Sequence, residues 1–414
     1  MAALDSIFIT DPVDPVHCGS AFRIRGSVLE DYVCSPDPGW EVEVKTGSKY
    51  VVARSSNPLG THEEARDQGF RVAQKGLDIL AIKRFGELGI RDPKDVHIIW
   101  WNEAGVPTLR LTLVTTHKIS TSATVTVSDR DGKPVLPPPP TTWHESLRYF
   151  RLSQVSDDLF DAFRNLYLAI ESILDHIEPQ HLASPPGGGA PRPAEGEGQW
   201  LRRALAAADR RIGLARFARA GSADPVQDFF EDIYASVRGG LFHAKGSRTF
   251  HLPHDEQVYP AVSDGFARLN NLFIALVGNV FGIQGGSGGF THHGFNMMVG
   301  GLEPHLSIFV TEDNTISERD ASEIVPGDGT VLQMRSVPTT LYDGPFLKGF
   351  LGTLSAGELS TMPTIRSAGA LVKQKPYCLT SLGCVIHHAG FSNVQTQLGI
   401  RMRNSRMSKT FFGT

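Results

Sequence analysis

A chain of 414 residues with 41% apolar and 20% charged residues has room for two or three domains with real cores, and its composition excludes a disordered polymer. A formal net charge of −4 excludes a surface built as a whole to hold a polyanion, while leaving room for local basic patches. Four scattered cysteines (Cys18, Cys34, Cys378, Cys384) exclude a dense disulfide framework, and no unbroken apolar run reaches the roughly 18 residues of a membrane span. With no basic-then-apolar leader at the start, the reading is a soluble, cytoplasmic chain with no membrane partner.

Taken in chain order, residues 1–136 read as an α+β domain. The segment WEVEVKTGSKYVVAR (40–54) alternates apolar and polar positions about a Gly-Ser turn, which predicts a hairpin. A long helix is predicted over 62–88, with acids in its first turn and Thr61 as its cap. DVHIIWWNEAGVPTLRLTLVTTH (95–117) and ATVTVSDRDGKPV (123–135) supply further strands. No phosphate loop or nucleotide fingerprint stands in this part, so scaffolding or recognition is its default role.

A proline run, PVLPPPPTT (134–142), then marks a boundary, since consecutive prolines favour stiff extended backbone. Residues 143–281 carry helical periodicity. Leu159, Phe163, Leu166, Tyr167, Ile170, Ile173, Leu174 and Ile177 form one wide apolar stripe. A second helix begins near Gln199 and buries Trp200, Leu201, Ala204, Leu205, Ala208 and Ile212; the stretch ASPPGGGAPRPAEGEG (183–198) before it reads as an inserted loop. A third comes after Asp224-Pro225, an N-cap with proline in the first turn, and presents Val226, Phe229, Phe230, Ile233, Tyr234, Val237 and Leu241. A fourth, about 255–281, presents Val262, Phe266, Leu269, Phe273, Leu276 and Val280. Four such helices predict a central four-helix bundle. After a glycine-rich break (282–294), residues 295–414 are rich in Thr, Ser, Gly and Val with turn signals PGDG (326–329) and YDGP (342–345), predicting a β-rich domain of sandwich or barrel type. The expected fold class is therefore α+β multidomain, in three consecutive parts.

Four stretches could carry chemistry. GGSGG (285–289) matches a nucleophile pattern literally, but that motif needs a strand before it and a helix after it, so it reads as linker. CLTSLGCVIHH (378–388) gathers Cys378, Cys384, His387 and His388; the five-residue gap between the cysteines does not suit a zinc knuckle, and a buried strand explains them as well, so no metal or other cofactor is assigned. Charge is uneven. Arg202, Arg203, Arg210, Arg211, Arg216 and Arg219 face a single acid, Asp209, and Arg202, Arg203 and Arg210 lie within about a quarter of a helical circumference. From Leu359 onward seven basic residues, among them Arg401 and Arg403, meet no acid. Such basic fields attract phosphates, which makes RNA a candidate partner.

The fourth stretch is VRGGLFHAKG (237–246). Two glycines inside a helix each weaken it by about 1 kcal/mol relative to Ala, so Gly239 and Gly240 mark either termination or a close approach by another backbone or a ligand. Arg238 and His243 flank them, about 140° apart on an ideal helix. Histidine can move a proton near neutrality and arginine can hold the charge of a phosphorane, which together suffice for metal-independent RNA cleavage. The plain alternative is a helix end with two ordinary polar residues.

An Arg, four residues and a His near the end of the third helix resembles the HEPN superfamily and its Arg-x(4–6)-His hallmark. LRYFRLSQVSDDLFDAFRNLYLAIESIL (147–174) and GEGQWLRRAL (196–205) are similar to Apea-like HEPN and methylamine-utilisation J-type proteins, the resemblance spanning about 143–281. It implies a metal-independent endoribonuclease in a toxin, antiviral-defence or RNA-processing setting. Arg238 and His243 would be the catalytic pair, in a site formed across a homodimer of the helical region. Tyr234 and Lys245 would add polar contacts, beside the arginines Arg202, Arg203 and Arg210. Active members carry a polar residue after the Arg where this chain has Gly239; the alternative implied is a non-catalytic accessory protein whose helices dimerise or bind RNA.

Overall fold

The computed structural model describes residues 1–10, 17–82, 88–91, 93–119, 143–183, 192–231, 234, 239–242, 258–283, 291–313, 331–344 and 346–404. The chain divides into two compact units, Met1–Thr121 with Gly289–Ser405, and Ser122–Gly288.

The first unit opens with β1 (Ala3–Leu4), β2 (Ile7–Phe8), β3 (Cys18–Arg25), β4 (Tyr32–Cys34), β5 (Trp40–Val44) and β6 (Tyr50–Ser55). The alternation over 40–54 is realised as the β5–β6 hairpin, with Val42 opposite Ala53. Helix α1 (His62–Ile82) starts at Thr61, whose hydroxyl accepts the Glu64 N–H at 3.2 Å, while the Glu64 carboxylate returns to the Gly60 N–H at 3.0 Å. Then come β7 (Gly89–Ile90), β8 (Val96–Glu103) and β9 (Val106–Ile119). β8 and β9 turn on Ala104 and Gly105, both at positive φ (50° and 89°), the backbone a two-residue hairpin turn needs to match strand twist.

The same unit resumes at α8 (His292–Leu302) and continues through β12 (Leu306–Thr311), β13 (Val331–Arg335), β14 (Val337–Gly344), β15 (Leu347–Ser355), α9 (Ala356–Leu359), β16 (Thr364–Val372), β17 (Lys375–His387) and β18 (Asn393–Asn404). Among the described residues its strands make a ten-stranded and a six-stranded sheet. The larger runs β14-β15-β18-β9-β8-β3-β6-β5-β4, with β7 on β3; the smaller runs β13-β12-β16-β17-β1-β2. They share one core, in which Leu109, Leu111, Leu113, Val394, Leu398 and Phe350 from the large sheet meet Ile308, Val310, Ala368, Ile386 and Leu4 from the small one. On the large sheet's other face, α1 packs Phe70, Ala73 and Leu77 over Phe22, Val42 and Ala53. The helix comes close because Gly69 and Gly76, two turns apart, face Ser20 and Val42 without a side chain.

This architecture corrects the expected three-part layout with a central four-helix bundle. Two large sheets dominate the molecule, and both draw on the two ends of the chain. β9 and β18 pair in parallel over twelve residues, from Thr108 opposite Asn393 to Ile119 opposite Asn404, so residues before and after the helical region are one structure. Strand β1 likewise joins β17, with Ala3 opposite His387. Periodicity reports which face of a strand is buried and carries no information about which strand lies beside it.

The second unit departs from four continuous helices as well. It contains α2 (Glu145–Val155), α3 (Leu159–Ile177), the short strands β10 (Leu182–Ala183) and β11 (Arg192–Pro193), α4 (Glu197–Ile212), a 3₁₀ turn (Leu214–Arg216), α5 (Pro225–Phe229), α6 (Gly239–Phe242) and α7 (Tyr259–Phe281). Asp158 and Asp224 cap α3 and α5 by accepting the N–H of Asp161 and Gln227. Leu166, Ile170, Ile173, Leu201, Leu205, Phe266 and Phe273 fill its core as the apolar stripes predict. The segment read as one third helix leaves α geometry after five residues: Phe230, Glu231 and Tyr234 are π-helical, and Gly239–Phe242 (α6) are α-helical again. A π turn adds one residue and rotates every later side chain by about 100°, which no three- or four-residue spacing announces.

Candidate functional site

The sequence singled out the end of the third helical segment. Arg238, His243 and Lys245 lie outside the described residues, as does GGSGG (285–289). What is described between the pair is the turn α6, whose glycines are helical. Gly240 and Leu241 are buried in it, and Arg164 of α3 donates to the Leu241 carbonyl at 3.1 Å.

Immediately upstream the structure gathers three predicted or adjacent residues into one stack. The Arg202 guanidinium carbon stands 3.5 Å over the Phe230 ring, and the Phe230 and Tyr234 rings lie 5.0 Å apart at 30°. Gly198 of α4 makes room for both rings; a Cβ there would stand 3.3 Å from Phe230 Cζ and 3.7 Å from Tyr234 Cε1. The Arg202 Nε also donates to Gln227 Oε1 at 3.4 Å, which orients the guanidinium plane. Phe230 is buried, Tyr234 half-buried and Arg202 exposed, so the stack rises from the core to the surface.

Arg203, predicted beside Arg202, does a different job. It pairs with Glu178 and, at 2.5 Å, with Glu195, and donates to the Pro179 carbonyl at 3.0 Å. These partners hold the Glu195 carboxyl below its usual range, through the Arg203 hydrogen bond first and the His181 N–H second. Arg203 therefore ties α4 to the end of α3 and is committed within the protein. The periodicity placed it near Arg202; the two acids that claim it come from outside that helix, Glu195 from the stretch read as a featureless loop.

The remaining arginines of this region divide similarly. Nearby acids are consumed internally: Asp209 accepts the Leu214 N–H at 2.6 Å, Asp228 accepts Arg268 at 2.8 Å and the Arg219 N–H at 2.9 Å, and Asp224 caps α5. Arg210, Arg211 and Arg216 are exposed and make no ion pair among the described residues. Arg210 thus shares an exposed basic face with Arg202, without Arg203.

Elsewhere the candidate residues are accounted for structurally. Cys378 and Cys384 are buried in the first unit's core, where burial pushes both thiols up. His388 is buried with Nε2 2.5 Å from the Met362 carbonyl, whereas its neighbour His387 is exposed. Among the described residues no group of three His, Cys, Asp or Glu side chains is placed to hold a metal ion. Of the acid-free tail, Arg401 grips Asp95 with two bonds of 2.7 and 2.8 Å, a partner 306 residues away.

One cluster escaped the sequence reading. His62 and Arg110 lie against Trp101, with ring centroids 5.5 Å apart and the guanidinium carbon 4.8 Å from the ring. Burial first, then Arg110, lowers His62 to about 4, and burial first, then Arg66, lowers His97 to about 3. His97 Nδ1 lies 2.7 Å from the Pro93 carbonyl, which fixes the proton on that nitrogen. The signal available was His97 on an apolar strand beside a second strand carrying Arg110, but only the β8–β9 register brings them together.

Comparison with protein-family models, with curated proteins and with solved structures finds no match to this chain. No helix among the described residues is long and apolar enough to cross a membrane.

Proposed function

We propose that this chain acts on RNA in the cytoplasm, through the helical unit, as a metal-independent endoribonuclease with Arg238 and His243 as its catalytic pair. The observation that carries the proposal is the exposed basic face of Arg202 and Arg210, left over after Asp209, Asp224 and Asp228 have been spent on caps and internal pairs, on the unit that holds the Arg-x(4)-His stretch. The resemblance of that stretch to the HEPN superfamily supplies the chemistry. The ribose 2′-oxygen attacks the adjacent phosphorus, the P–O5′ bond breaks, and a 2′,3′-cyclic phosphate and a 5′-hydroxyl result. The 2′ proton passes to an imidazole and the 5′-oxygen leaves protonated, so a second copy of the unit, bringing a second His243, completes the exchange. Arg238 stabilises the phosphorane as a permanently charged fork.

Incubation of the purified protein with mixed RNAs in EDTA tests it. Cleavage is expected, abolished by Arg238→Ala and by His243→Ala; no cleavage, or cleavage indifferent to both, refutes the nuclease. Gly239, where a polar residue would assist the pair, favours a second reading in which the unit binds RNA or a second copy without cutting. That reading expects RNA retention or dimers in the same samples with no cyclic phosphate formed.

A further inference from the structure

Resting on the RNA reading above, we infer that the Arg202–Phe230–Tyr234 stack is a docking platform for one unpaired base, which makes single-stranded RNA the substrate class. The Arg202 guanidinium carbon stands 3.5 Å over the Phe230 ring and Arg202 is exposed, so the guanidinium lies between that ring and solvent, where a further planar group can meet it. Its plane is set by two contacts before any ligand arrives, the ring below and Gln227 Oε1 at 3.4 Å, so little ordering is left for binding to supply. Tyr234 stands next to the same ring, half-buried, and widens the aromatic surface beside the guanidinium.

Two further features place a ligand here. The π-helical geometry of Phe230, Glu231 and Tyr234 replaces the α geometry that the sequence pattern predicts there, and such turns are frequent at functional sites. Gly198 lets both rings sit against α4 where any side chain would press on Phe230. Glu231 is the nearby acid, and it accepts the Gln227 amide at 2.5 Å, so it backs the residue that orients Arg202. Arg210, two turns on along α4, supplies a cation for the backbone that continues from the stacked base. A base inside a duplex has both faces occupied and cannot enter such a stack; an unpaired one can, whatever its identity.

The test uses the full chain and a short 2′-O-methyl RNA, which cannot be cleaved, carrying one 2-aminopurine, alone and annealed to its complement. Wild type is expected to bind the single strand more tightly than the duplex and to quench the 2-aminopurine. Stacking of one base is worth roughly 5- to 150-fold in affinity, so Tyr234→Ala should weaken single-strand binding by about tenfold and leave duplex binding alone, while Arg202→Ala, which also removes a charge, should weaken single-strand binding by more than it weakens duplex binding. Arg202→Lys keeps the charge and loses the plane; it should retain the salt dependence and lose the quench. Equal affinity for both strand forms, or a quench unchanged by Arg202→Lys, overturns the platform while leaving RNA binding standing. Absence of binding to either form overturns the RNA reading itself, and the platform with it.

Discussion

Replacing Gly76 by alanine sets two well-measured effects against each other. Helix propensity alone makes the change stabilising by about 1 kcal/mol, because Gly76 lies inside α1. Packing opposes it. A Cβ at Gly76 would stand 2.6 Å from Val42 Cγ1, 2.9 Å from Val42 Cβ and 3.1 Å from Val42 Cγ2, where carbons normally rest about 3.5–4.0 Å apart. No Val42 rotamer relieves the clash, since its Cβ is itself too near and moves only with the backbone of β5. Helix α1 must therefore lift, loosening the Phe22–Phe70 edge contact at 5.3 Å beside it. Overpacking of this kind costs about 1–3 kcal/mol, so the net expectation is destabilisation by about 0–2 kcal/mol. For a unit of this size the thermal midpoint should fall about 2–4 °C per kcal/mol. Denaturant unfolding of Gly76→Ala, Val42→Ala and the double variant measures the coupling, which should favour the double variant by about 1 kcal/mol or more. A Gly76→Ala protein more stable than wild type, or additive effects, would refute the close approach of helix and sheet.

Three further outcomes are expected of buried groups. His62 and His97 titrate near 6.5 when unfolded and at about 4 and about 3 when folded, so the folded state favours their neutral forms. Their contribution is fully present above pH 6.5 and is lost as pH falls toward 3; His97→Asn, which retains a donor for the Pro93 carbonyl, should flatten the loss in urea titrations at about pH 7.5 and 4.5. Asp95→Asn leaves the largely buried Arg401 without its anion and should cost about 1–3 kcal/mol in the same assay, and the double variant with Arg401→Ala should cost clearly less than the sum of the two single changes if they act as one pair. Cys18, raised to about 11, and the buried Cys378 and Cys384 should resist alkylation in the native protein while half-exposed Cys34 reacts, as mass spectrometry of labelled peptides would read; native-state labelling of Cys384 would contradict its placement in the core.

Much of the local structure was legible. Asp224-Pro225 does cap and start α5, Thr61 does begin α1, and the alternation over 40–54 is the β5–β6 hairpin. These signals work because capping and pleating are settled within a few residues. The β9–β18 pairing was hidden because a parallel ladder needs no turn and leaves no punctuation at either strand. The change to π geometry at Phe230 was hidden because the apolar spacing suits a continuous α-helix. Of the candidate site, Arg202 and Arg210 were read from charge and spacing and Tyr234 from the resemblance, and the stacking of Arg202 and Tyr234 on Phe230 was announced by neither. Arg203 was misread because a residue's own helix says nothing of the carboxylates that reach it from another segment.

The parallel ladder between β9 and β18 also sets a schedule. Arg110 meets Gln395 across 285 residues, so during synthesis at about 5–20 residues per second the outer margin of β9 waits roughly 15–60 s for its neighbour. Through that interval a strand with Leu109, Leu111 and Leu113 on one side offers unclaimed amides and carbonyls to any passing chain. A recombinant piece stopped after Ile119 would inherit the same open margin permanently, and for laboratory purposes the opening third of this protein is half of a sheet.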